Sequence, residues 1–148
     1  MPKGNQNAAG ILQAMYQAVF TDLNTLLANS GTPLTTLYVS LHTASPGANG
    51  NQSTNEANYG GGSGYARVGV ARTTGGWTLV NQTITNAAQI TFGACSGGSG
   101  EIETYIGIGT AASGPGTLLW FGQITIPLNV SSGATPIISA GSLTVTES

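Results

Sequence analysis

From Thr35 onward, short runs of alternating apolar and polar residues are separated by clusters of glycine, proline, serine and asparagine. That punctuation is the strongest constraint on the fold, because a period of two suits a pleated strand and no helix. In "TTLYVSLHT" Leu37, Val39 and Leu41 alternate with Tyr38, Ser40 and His42. In "YARVGVART" Ala66, Val68 and Val70 oppose Tyr65, Arg67 and Gly69. The runs "GWTLV", "QITFGA", "IETYIGIGT", "TLLWFGQITI" and "PIISAGSLTVT" continue the series, with "TTGG", "SGGSG", "AASGPG" and "NVSSGA" as turns. Six to eight short strands at this spacing predict an all-β fold, an antiparallel β-sandwich of the jelly-roll or Ig-like kind. The clearest hairpin sets Ile106 and Ile108 opposite Leu118 and Trp120 or their neighbours. The expected core is Leu37, Val39, Leu41, Val68, Val70, Ile90, Phe92, Ile106, Ile108, Leu118, Trp120, Leu143 and Val145.

Ahead of the strands the pattern changes. Ile11, Leu12, Met15, Tyr16, Val19, Phe20, Leu23, Leu26 and Leu27 recur at three- and four-residue steps, which predicts one amphipathic α-helix over residues 8–29. Asn29, Ser30, Gly31 and Pro33 end it. The chain of 148 residues fits a single domain. Its parts are a flexible N-terminal segment over 1–7, the helix, and a sandwich over 35–148 that carries a long loop over 43–64.

That loop, "TASPGANGNQSTNEANYGGGSG", exceeds the length at which structureless connections become uncommon in a compact domain. It is rich in hydrogen-bonding groups and poor in apolar anchors, so the expectation is that another chain orders it. Expected interface residues are Asn49, Asn51, Asn55, Glu56, Tyr59 and Tyr65 from this region, with Ile11, Met15 and Phe20 from the helix.

The eight charged residues are Lys3, Arg67, Arg72, Asp22, Glu56, Glu101, Glu103 and Glu147. So few cations form no patch for phosphates and no basic segment for an anionic membrane, which argues against nucleic acid and membrane as partners. A surface this poor in charge favours association. Cys95 stands alone, is expected to be buried, and excludes an internal disulfide. The N-terminal stretch has no signal-peptide pattern and no run approaches a membrane span, so synthesis in a cytosol is expected.

Residues for catalysis are scarce. His42 is the one histidine, and Ser40 shares its side of the strand, yet a surface or structurally satisfied histidine is the reading preferred over a hydrolase triad. Glu101 and Glu103 read as solvated flanking charges rather than a glycosidase pair. One histidine and scattered acids make no metal cluster, and "YGGGSG" lacks the Lys-Ser/Thr ending of a phosphate loop. Neither enzyme nor cofactor chemistry is expected. Tyr38, Tyr59, Tyr65, Trp77 and Trp120 leave open a sugar-stacking platform.

Taken together, "LYVSLHTASPG", "GGGSGYARVGV", "GGWTLV", "IGIGTAASGPGTLLWFGQI" and "GATPIISAGSLTVT" resemble a family of small tailed-bacteriophage virion structural proteins, with tail-fibre-like and head-decoration members. The resemblance covers nearly the whole chain. It implies a non-enzymatic virion protein made in the host bacterium. In such proteins an acidic residue lies close before the "GGGYAR"-like segment, whereas Glu56 is set apart from Tyr65 by an Asn/Gly-rich insertion. The expectation of a direct Glu56–Arg67 ion pair is therefore not carried over. A fibre would show repeats or heptads and this chain has neither, so the resemblance is read first as a capsid decoration or cement protein. Its partners would then be the major capsid protein and copies of itself, a homo-oligomer such as a trimer. The alternative is a tail or tail-tip fibre or adaptor protein bound to other tail proteins, with a glycan receptor for the aromatic residues.

Overall fold

In a computed structural model, the structure describes residues 11–17 and 34–147. The fold is all-β, with antiparallel sheets, as the alternation predicts. Nine strands are present among the described residues: β1 (Thr36–His42), β2 (Val68–Ala71), β3 (Trp77–Val80), β4 (Thr83–Asn86), β5 (Ile90–Thr91), β6 (Glu101–Gly109), β7 (Leu118–Val130), β8 (Ile137–Ile138) and β9 (Thr144–Thr146). Strand β4 escaped the sequence reading because "TITN" has one apolar residue, Ile84, between threonines. The run "PIISAGSLTVT" is split into β8 and β9 by a turn at Ser139–Ser142.

The chain forms two compact units, one built from Met1–Thr36, Ala71–Ile90 and Ile138–Ser148, the other from Leu37–Val70 and Thr91–Ile137. In the first unit the sheet order is β3-β4-β9. The β3–β4 hairpin turns at Asn81, whose φ of 54° lies in the left-handed region that asparagine tolerates better than most residues. Trp77, at the start of β3, is fully buried, and the Tyr16 ring meets it edge-on at 4.5 Å. Gln17 donates from Nε2 to the Trp77 carbonyl at 2.8 Å.

The described part of the predicted helix differs from it in winding: Gln13–Gln17 is a π-helix. It buries Leu12, Tyr16 and Gln17, while Ile11 and Met15 are only half-buried. The Trp77 ring and carbonyl supply the reason, since they engage two successive side chains, Tyr16 and Gln17. Phe20 and the rest of the predicted helix, like the segment 1–7, lie outside the described residues.

Asn86 closes the open end of this sheet. Its Nδ2 donates to the carbonyls of Ala88 at 2.8 Å and Ser139 at 2.9 Å, and its Oδ1 accepts from Leu143 N at 2.9 Å. Asn86→Ala leaves the buried Leu143 amide without its acceptor and the part-buried carbonyls of Ala88 and Ser139 without their donor, so we expect a loss of about 1–3 kcal/mol, measured by urea denaturation.

In the second unit the sheet order is β2-β1-β6-β7. The β6–β7 hairpin forms as expected, with Ile108 opposite Trp120 and Gly109 opposite Leu118. Leu37, Val39, Leu41, Phe92 and Ile108 are buried as expected, and so are Ile90 and Leu143 in the first unit. The remaining expected core residues, Val68, Val70, Ile106, Leu118, Trp120 and Val145, are half-buried. Most of these sit on the edge strands β2, β7 and β9, where a neighbouring strand covers one side alone.

Strand β1 overturns a second expectation. It is buried on both faces from Val39 onward, because Ser40 and His42 are as inaccessible as Val39 and Leu41. The cover is the segment predicted to be a structureless loop. Thr43 N donates to Asn55 O at 2.9 Å, Ala57 N to Leu41 O at 2.9 Å and Gln52 N to Gly116 O at 3.0 Å. Further along, Ser63 and Ser96 exchange backbone bonds at 2.9 Å each. The segment 43–64 is thus ordered within its own chain, largely by backbone bonds, with Ala57 and Tyr59 as buried apolar anchors.

Candidate functional site

The polar groups enclosed between β1 and the folded-back segment form one connected cluster, and its centre is an ion pair. Arg67 Nε donates to Glu56 Oε1 at 2.6 Å and Arg67 Nη2 to Glu56 Oε2 at 2.7 Å, a bidentate fork that suits the planar guanidinium. The Arg67 side chain is 2 % exposed and that of Glu56 17 %. The remaining donors are used as well: Nη1 meets Ala111 O at 2.9 Å, and Nη2 meets Gly114 O at 2.7 Å and Ser53 Oγ at 3.3 Å. One arginine therefore ties the start of β2 to the covering segment and to the loop between β6 and β7. This corrects the expectation that the insertion keeps Glu56 from Arg67, for the insertion folds back and returns the carboxylate to the strand.

Tyr65 and Gln52 extend the cluster. The Tyr65 hydroxyl donates to Glu56 Oε1 at 3.0 Å and accepts from Leu41 N at 3.1 Å. Burial pushes this phenol well above the ordinary tyrosine range, so it stays a donor. Gln52, fully buried, accepts from Ala111 N at 2.9 Å. Its side chain lies where a Cβ on Gly109 or Gly116 would stand, within 2.2 and 2.3 Å, so neither glycine position has room for a larger residue.

His42 and Ser40 form a pair of catalytic appearance, with Ser40 Oγ and His42 Nε2 at 2.9 Å. His42 Nδ1 lies 2.9 Å from the Thr54 carbonyl, which fixes the tautomer: Nδ1–H donates to that oxygen and the serine donates to Nε2. Burial lowers the histidine's affinity for a proton, so the ring is neutral. The serine proton thus already points at the imidazole, yet both side chains are 0 % exposed. A Cβ on Gly107 would stand 2.7 Å from both His42 Nε2 and Ser40 Oγ, so the β6 backbone occupies the space an acyl substrate needs. The pair is a structural crosslink, in line with the preferred reading of His42.

Beyond the clasp, Tyr59 is fully buried and packs with Cys95 and Val130. Its ring meets Tyr65 edge-on at 5.4 Å, its hydroxyl donates to Gly93 O at 2.9 Å, and Tyr65 stacks on Phe92 at 6.3 Å. Tyr59 and Trp77, both 0 % exposed, are thereby withdrawn from the sugar-stacking platform. Asn58 N donates to Glu101 Oε1 at 2.6 Å, and Tyr59 N donates to the same oxygen. Glu103 corrects another expectation: it is not a solvated flank but 0 % exposed. Burial, and then the neighbouring Glu101, raises its pKa to about 8.

Of the residues expected at an interface, Asn49 and Asn55 are exposed, and Asn55 donates from Nδ2 to Ser45 O at 2.9 Å. Asn51, Ile11 and Met15 are half-buried, and Phe20 lies outside the described residues. Glu56, Tyr59 and Tyr65 are brought together, but inside their own chain. The sequence reading missed Gln52, set the Glu56–Arg67 pair aside and placed Glu103 in solvent. For Arg67 a signal existed, since an arginine among so few charges needs a carboxylate; for the burial of Gln52 and Glu103 there was none.

The cluster is a clasp that ties a long polar segment to its own chain. A comparison with curated proteins finds no match. Residues 19–146, most of the chain, match the family model described as Podophage GP4 fiber I protein gp80. This chain belongs to that family of phage fibre proteins, and is a virion structural protein of tail-fibre-like kind.

Proposed function

We propose that the chain is a non-enzymatic structural component of the phage tail, a β-rich fibre or tail-tip module whose partners are neighbouring tail proteins and copies of itself. The observation that carries this reading is the match to a fibre family across residues 19–146. It favours the tail over the capsid decoration role expected first. The absence of repeats or heptads, which had favoured a head protein, is compatible with a fibre built from separate folded modules.

Physical features support a role in assembly. The surface has little charge to desolvate, and Phe121, Ile126 and Ile137 are exposed, Ile126 by 77 %. The clasp holds the 43–64 segment in a fixed shape before any partner arrives, which lowers the ordering cost of association. Locating the protein in purified virions by gold-labelled antibody and electron microscopy tests the reading. Label at the tail is the expected outcome; label confined to the head surface would return the protein to a decoration role.

A further inference from the structure

The clasp accounts for Glu56 and Arg67 but leaves a second pair of acids unexplained. Glu101 and Glu103 stand two apart on β6, and therefore on one face of the sheet. Glu101 Oε1 accepts from both Asn58 N and Tyr59 N, and so pins the turn that begins the glycine run. Glu103 is 0 % exposed, and neither of its carboxyl oxygens has a hydrogen-bond partner. No cation of the second unit answers it. The second unit holds one arginine and no lysine, Arg67 is engaged by Glu56, and His42 is neutral.

The groups that face Glu103 offer its carboxylate no relief. Glu101 on its own strand can accept a hydrogen bond from the neutral acid but repels the charged form. Tyr59 from the covering turn is a phenol whose own pKa is raised to about 12 by burial and, next, by Glu103. Cys95 packs beside Tyr59. From β7 the register sets Leu128 opposite Glu103 and Val130 opposite Glu101, neither of which titrates. Among the described residues no three acidic, histidine or cysteine side chains converge as metal ligands, so a proton is the counter-charge the site can hold. A buried carboxylate beside a second carboxylate, with no cation, is far less stable than the neutral acid.

We infer that Glu103 is a proton latch for the turn at Asn58–Gly62: as the neutral acid it lies sealed beneath the turn, and as the carboxylate it must reach water, which requires the turn to lift from Glu101. The buried acid thereby becomes a pH-dependent device beneath the turn that follows the residues held by the Arg67 clasp, Ser53 and Glu56.

The sign follows from linkage. The closed turn binds the proton at about pH 8 and a solvated glutamic acid at about 4.5, so closure is most favoured below pH 4.5 and is progressively lost up to pH 8. Hydrogen exchange at the Asn58 and Tyr59 amides, corrected for the intrinsic rate, tests it on the whole chain. Protection should fall by up to about tenfold per pH unit between pH 5 and pH 8 and level off above. Glu103→Gln should remove that slope while keeping the turn closed. A carboxyl carbon-13 titration of the unaltered protein reads the same group without substitution, with a midpoint well above 5 expected. The inference is overturned by a midpoint near 4.5, by protection that does not change with pH, by a slope that persists in Glu103→Gln, or by calcium chloride restoring protection at pH 8, which would make the site a metal site.

Discussion

Arg67→Met is expected to destabilise the second unit by about 3–5 kcal/mol at neutral pH. The substitution keeps the apolar stem and removes the guanidinium, leaving Glu56 largely buried without a cation and the carbonyls of Ala111 and Gly114 without their donor. Those costs are borne by the folded state alone, since all three groups are hydrated in the unfolded chain. Urea denaturation measures the loss. The double variant Glu56→Gln, Arg67→Met should recover part of it, because an uncharged amide in place of the Glu56 carboxylate no longer needs a cation, and the cycle isolates the coupling between the two residues. A loss below about 1 kcal/mol for Arg67→Met would mean that the pair behaves as a solvated surface bridge. The clasp would then not be what holds the 43–64 segment.

Glu103→Gln is expected to act in the opposite direction. The folded chain holds the Glu103 proton up to about pH 8, against an ordinary value of 4.5. A raised acid pKa favours folding at low pH; its contribution is complete below 4.5 and is lost as the pH rises to about 8. The shift corresponds to at most about 5 kcal/mol between these limits. Glutamine copies the neutral acid and does not titrate. The variant should match the parent at pH 4 and exceed it by several kcal/mol at pH 8.5, read as the difference between two urea curves at each pH. A constant difference across that range would mean that Glu103 reaches water in the folded protein. A growing difference with unchanged protection at Asn58 and Tyr59 would leave a buried acid and no latch.

The two substitutions mark where reading the chain succeeded and stopped. Alternation in "TTLYVSLHT" and "IETYIGIGT" made β1 and β6 legible, and the Gly-Pro turn between "GIGT" and "TLLW" made the β6–β7 hairpin so. These are local signals: a strand's period and a turn's chemistry depend on a handful of consecutive residues. Cys95, alone and uncharged, was placed in the interior for the same kind of reason. Which residues of the predicted apolar stripe a helical turn buries most was less accessible, and Leu12 and Tyr16 are more deeply buried than Ile11 and Met15, with Trp77 arriving from a distant part of the chain to meet Tyr16.

The clasp belonged wholly to the tertiary structure. Period two told that Ser40 and His42 lie opposite Leu37, Val39 and Leu41, but could not tell that the opposite face is also covered. The segment that covers it carries no hydrophobic pattern, since it is held mainly by backbone bonds and by the Gln52, Glu56 and Arg67 side chains, with Ala57 and Tyr59 as its buried apolar residues. Glu101 and Glu103, two apart on one strand, look alike in sequence. One accepts two backbone N–H groups and the other is sealed with no N–H donor, because the turn at Asn58–Tyr59 reaches the first carboxylate alone. The sequence by itself determined the strands and their turns, since those follow from neighbouring residues. Only the tertiary structure decided which polar groups are buried, since solvation depends on whatever part of the chain comes to lie on top.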